Sequence, residues 1–180
     1  MIIIALVSPT GGAGRTSLAI AAASHLSMLG RKVTLVQTDP VNNIEFQLGY
    51  TANSAHGLAQ VILQTDTLDQ VITTTEAGFK LLPFGQTSIA QQVDIDQVLA
   101  SKPERLVEIF QHPLFENDSL VIVDLPRWPT VWCQQIMALS DLNLVTLVPD
   151  SAAILGIDTL LPYLLESRGA SYFLMNRFDS

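Results

Sequence analysis

The sequence predicts an α/β fold, doubly wound about a mostly parallel sheet, and three observations carry that prediction. Short apolar runs recur along the chain with longer polar or helix-patterned stretches between them. A glycine-rich loop follows the first run and opens a helix, and two of the later runs end on or beside an aspartate. Parallel strands buried on both faces read as continuous apolar runs, and each needs a crossover long enough for a helix.

The elements follow in order. Ile2–Val7 is the first strand, and Pro9–Ser17 turns the chain into a helix whose apolar side is marked by Leu18, Ala22, Leu26 and Leu29. Gly30 stands where a C-terminal cap releases the chain, and Val33–Gln37 completes a βαβ unit. The polar stretch from Thr65 to Glu76 is too short for a linker, and Phe79–Pro83 is the next strand. Pro103 and Glu104 open a helix with Leu106, Ile109 and Phe110 on its apolar side, and Pro113 stops it before the strand Leu120–Asp124. Leu142–Val148 and Ser171–Met175 complete the strands.

Composition bounds the function. The 180 residues suit one domain, residues 1–180, and 48% hydrophobic content supplies a sizeable core. Nine Lys and Arg against 17 Asp and Glu give a net charge of −8, which opposes the DNA backbone and argues against genome coating. The single cysteine, Cys133, makes neither an intramolecular disulfide nor a four-ligand metal site, and it fits a reducing cytoplasm. No apolar stretch reaches the ~20 residues of a membrane span, and the N-terminal run lacks the basic start of a signal peptide. The chain stops at Ser180 directly after a strand, where a doubly wound fold normally continues, so a trimmed or incomplete domain is expected.

The loop Pro9-Thr10-Gly11-Gly12-Ala13-Gly14-Arg15-Thr16-Ser17 lies between a strand and a helix, as a phosphate-binding loop must. Glycines let backbone N–H groups wrap an anion, and the helix N-terminus adds its dipole. Gly11, Gly12, Ala13, Gly14, Arg15, Thr16 and Ser17 are therefore the candidate phosphate-binding residues, the alternative being a turn that serves packing alone. The loop departs from the Walker A pattern at Pro9, in place of the first glycine, and at Arg15, in place of lysine. A planar guanidinium is not a lysine's compact charge, so binding is expected and hydrolysis is left open.

Thr16 supplies the hydroxyl that would ligate Mg²⁺, and Asp124, closing Leu120-Val-Ile-Val-Asp, is placed as a Walker B carboxylate for a magnesium-bound water. Asp124 as a plain strand-end cap before Pro126 is the other reading. Asp39 is the candidate catalytic residue, orienting water from the carboxyl edge of its strand, or else part of an Asp-Pro turn. Cys133 reads as a small buried hydrophobe, and His25 and His112 as surface or capping residues. Trp128 and Trp132, four apart, fit either core packing or an exposed partner-binding loop.

These motifs, in this order, resemble the deviant P-loop family that includes ParA, MinD and the nitrogenase iron protein, whose loop reads Lys-Gly-Gly-Val-Gly-Lys-Thr. Thr10 stands in place of that family's signature lysine and Arg15 in place of its second. The likeness continues through Asp39-Pro40, Asp124–Pro126 and Ser140-Asp141, and spans essentially the entire chain. Within the family, Leu81–Ile89, Val123–Arg127 and Met175-Asn176-Arg177-Phe178 are similar to the cellulose-biosynthesis BcsQ group. The resemblance implies a cytoplasmic component of bacterial cellulose secretion that binds ATP and Mg²⁺, with Asn176 facing the adenine. It implies a nucleotide-dependent homodimer, peripheral to the inner membrane through cellulose synthase subunits and small accessory proteins, without contact to nucleic acid. Loss of the signature lysine, which in the family reaches across the dimer, implies weak or absent hydrolysis. A catalytically inactive P-loop scaffold and a ParA-like partitioning ATPase are the alternatives.

Overall fold

The computed structural model describes residues 1–41, 43–50, 54–115 and 119–177. In chain order the elements are β1 (Ile2–Val7), α1 (Arg15–Met28), β2 (Val33–Gln37), α2 (Ile44–Gln47), α3 (Leu58–Ile62), α4 (Leu68–Val71), β3 (Thr73–Thr74) and β4 (Lys80–Leu82). They continue with α5 (Ile89–Ser101), α6 (Glu104–Phe110), β5 (Leu120–Asp124), α7 (Val131–Leu139), β6 (Leu142–Leu147), α8 (Ser151–Glu166) and β7 (Ala170–Met175). The strands form one seven-stranded sheet in the order β3-β4-β2-β5-β1-β6-β7. Every pairing is parallel except that of β3 with β4. This is the doubly wound, mostly parallel fold the sequence predicts.

Each predicted run forms a strand, with Phe79–Pro83 shortened to Lys80–Leu82. The strand missing from the prediction is β3, whose two threonines are exposed and pair antiparallel with Lys80 and Leu81. An exposed pair of threonines carries no apolar signal, so only tertiary pairing identifies it.

Alternation along the strands divides the core between the two faces. Leu6, Leu35, Leu120 and Ile122 pack with Ala19 and Ala23 of α1 on one face. Ala5, Val7, Val121 and Val123 pack under α5, α6, α7 and α8 on the other. The most buried seam of α1 is not the expected Leu18, Ala22, Leu26 and Leu29. Ala19 and Ala23 are fully buried, the first three sit half-buried at the helix edge, and Leu29 is 64% exposed. Small alanines bring the helix close to the sheet, and the bulkier side chains then flank the contact. Gly30 does release the chain, at φ +77°, and α6 buries Leu106, Ile109 and Phe110 as predicted.

Both tryptophans are core. Trp132 of α7 lies 5.9 Å from Phe84, and Trp128, in the preceding loop, stands edge-on to Tyr163 of α8 at 4.8 Å. The Trp128 indole N–H donates to Thr159 Oγ1 at 3.0 Å, which satisfies its one donor. Among the described residues no helix is long and apolar enough to cross a membrane.

The register matters most for the site. Asp124 at the end of β5 pairs level with Leu6 of β1 on one side and Gln37 of β2 on the other. The segments leaving β1, β2 and β5 therefore emerge together at the carboxyl edge of the sheet, where open α/β sheets bind ligands.

Candidate functional site

The loop from β1 to α1 is pinned from below. Ser8 is buried, with its Oγ 2.8 Å from the carbonyl oxygens of both Thr10 and Thr146. Pro9 is buried against α8: a Cβ added to Gly156 would collide with the Pro9 ring. The departure of Pro9 from the Walker pattern is thus a packing feature, complementary to a glycine on a distant helix. Gly12 and Gly14 have φ of +73° and +80°, which side chains rarely tolerate. A Cβ on Gly14 would also run into the Asn176 side chain, whereas one on Gly11 would meet nothing within 4 Å. The loop and the first turn of α1 line a cavity of about 330 Å³ together with Asp39, Arg127 and Arg177.

The structure brings the predicted charged residues together. Arg15 donates from Nε to Asp124 Oδ1 at 2.7 Å and from Nη2 to Asp39 Oδ2 at 3.1 Å. Its side chain is 11% exposed, against 21% for Asp39 and none for Asp124. Thr16 donates its hydroxyl proton to the other Asp124 oxygen, Oδ2, at 2.8 Å. Burial pushes the Asp124 carboxyl above its ordinary value of 3.8, with Arg15 and Thr16 pulling in the opposite direction. Asp39 also accepts the Val41 N–H at Oδ1, 3.0 Å away, so the turn through Pro40 and the ion pair share one carboxylate.

Asn176, just beyond β7, donates from Nδ2 to the Ala13 carbonyl at 3.0 Å. It also lines a second cavity of about 520 Å³ with Ala13, Gly14, Ser17, Leu18, Leu174 and Met175. The side chain expected to face a base thus stands between the glycine loop and an adjoining, partly apolar recess. Phe178 lies outside the described residues. Cys133 is buried, hydrogen-bonded with Thr130, and its thiol is pushed up to about 11 by burial. His25 is exposed in the last turn of α1, and His112 lies 3.8 Å from Asp69, away from this site.

Sequence reasoning placed neither Arg127 nor Arg177 in the phosphate cavity. The available signal was positional: each follows a strand's carboxyl end, after Asp124–Pro126 and after Asn176.

The chain matches the family described as cellulose biosynthesis protein BcsQ over residues 1–180. It is 30% identical over 165 residues to the chromosome-partitioning ATPase Soj of Thermus thermophilus, covering 92% of this chain and 62% of that protein. It is 25% identical over 151 residues to the cellulose biosynthesis protein BcsQ of Escherichia coli, covering 84% and 60%. The chain spans about three fifths of the length of these curated relatives. Its fold is shared with the septum site-determining protein MinD of Pyrococcus horikoshii, solved with Mg-ADP. That likeness has a TM-score of 0.79 at 22% identity, over 98% of this chain and 70% of that one. With its P-loop at the carboxyl edge of a MinD-like sheet, the chain belongs to the cellulose biosynthesis protein BcsQ family.

Proposed function

We propose that this chain binds ATP with Mg²⁺ at the β1–α1 loop and acts as a nucleotide-linked regulatory or assembly component of the bacterial cellulose synthase secretion complex, with weak or no hydrolysis. The observation that supports this most is the glycine-lined cavity at the start of α1, with the Thr16 hydroxyl hydrogen-bonded to the buried Asp124. In this reading the amides of Gly11 to Ser17 wrap the phosphates at the start of α1, and Asn176 stands beside the base.

Among the described residues no cluster of three or more His, Cys, Asp or Glu is arranged to hold a metal ion. Magnesium suits such a site, because it keeps several waters and needs few protein ligands. The Thr16 hydroxyl, backed by Asp124, fits it. When bound with nucleotide, the ion would neutralise charge on the β- and γ-phosphate oxygens. Asp39 would orient an attacking water, but its carboxylate already holds Arg15 and the Val41 amide. That engagement supports slow turnover, and it equally favours the second reading, a catalytically inactive P-loop scaffold.

The partners in this reading are cellulose synthase subunits and small accessory proteins, which hold the chain at the inner membrane indirectly. The likeness to Soj raises a partitioning role, but nine Lys and Arg among 17 acids leave little basic surface for a DNA backbone. Light scattering tests the nucleotide link: Mg-ATP is expected to double the mass in solution. An unchanged mass would contradict the nucleotide-linked dimer. DNA binding at low salt would favour the partitioning role instead.

A further inference from the structure

We infer that Arg127 and Arg177 are the cations that meet the phosphates in this cavity, while Arg15 serves as the internal counter-ion of Asp39 and Asp124. The inference rests on the nucleotide-binding reading and assigns the charge that such binding requires.

Arg15 alone cannot supply that charge. Its guanidinium is shared between two carboxylates at 2.7 and 3.1 Å, so the trio presents one positive charge against two acids. A polyphosphate approaching this group finds the guanidinium's donors already taken by the two carboxyl groups. Thr10, where the family carries its signature lysine, adds none.

Two further arginines line the same cavity, and both are exposed. Among the described residues neither is in an ion pair. Arg127 leaves the carboxyl end of β5 directly after Leu125-Pro126. Arg177 has φ +53°, unusual for a side-chain-bearing residue, and its N–H donates to Asn176 Oδ1 at 2.9 Å. Asn176 is itself tied to the Ala13 carbonyl of the loop, so this turn directs Arg177 back over the glycines. Its Nη1 stands 3.9 Å from where a Cβ on Gly12 would be. A planar guanidinium presents paired donors that match phosphate oxygens.

A second observation points to an anion at the same place. Thr10 lines the cavity, is 9% exposed, and its Oγ1 has no hydrogen-bond partner. Buried hydroxyls are normally paired, and a phosphate oxygen would accept this one's proton.

The test is calorimetric titration of the full chain with ATP and with inorganic tripolyphosphate. It compares wild type, Arg127→Gln, Arg177→Gln, the double variant and, as a charge-matched control, Arg31→Gln at the far end of α1. Each single variant is expected to weaken both ligands about tenfold or more, as loss of a hydrogen bond to a charged group does, with Arg31→Gln unchanged. A double variant with wild-type affinity for both ligands overturns the inference and leaves the nucleotide reading standing. Arginine-dependent binding of tripolyphosphate, with ATP bound no better, supports the inference and removes the nucleotide reading. A wild type that binds neither ligand overturns both.

Discussion

Arg15 decides the behaviour of the site at the scale of single residues. Arg15→Ala leaves Asp124 buried without its cation, and breaking a buried pair on one side costs about 3–5 kcal/mol. Urea unfolding is expected to show that loss, and a variant as stable as wild type would contradict the clamp. Asp124 carries a pH signature of its own. Because its carboxyl is raised in the folded state, the native form binds the proton more tightly than the unfolded one. Its contribution to stability therefore falls as pH climbs from 3.8 through the raised value. Asp124→Asn is expected to remove that fall, read as melting temperature against pH. The Cys133 thiol, pushed up to about 11 and buried, stays protonated at neutral pH. Ellman's reagent is expected to label it only after unfolding, and rapid labelling of the native protein would contradict its burial. The sequence pointed to Arg15, Thr16, Asp39 and Asp124 because each sits at a fixed offset from a strand end. It did not show Arg15 turned onto both acids, since that depends on β1, β2 and β5 ending level.

Between elements, the contact that matters most is the one joining α8 to the loop. Gly156 of α8 admits the Pro9 ring, and Gly156→Ala forces one of them to move. Overpacking of this kind costs about 1–3 kcal/mol, and the displaced loop is expected to lose anion affinity as well, measured by thermal melting and tripolyphosphate titration together. Wild-type behaviour in both would show that α8 does not set the loop. This pairing was illegible in the sequence because 147 positions separate two residues with no chemical signal of their own. The same limit applies to α1. Periodicity identified a helix with an apolar side, but the alanine seam at Ala19 and Ala23 is selected by the closeness of the sheet. For β3 there was no pattern to read, as two exposed threonines become a strand only through pairing with β4.

The fold of the whole molecule was the most readable level, since parallel strands buried on both faces must be apolar throughout, and β5 is buried at all five positions. Charge was readable only as a total. The net −8 describes the chain as a whole, whereas three of its nine Lys and Arg line one cavity around the glycine loop. Gathering those three arginines at the loop gives it a local charge that the total conceals. The most direct test is calorimetric titration of the purified chain with Mg-ATP and Mg-ADP. The account predicts saturable binding near one nucleotide per chain, weakened as salt is raised. An absence of binding to either nucleotide, with the protein folded, would contradict it.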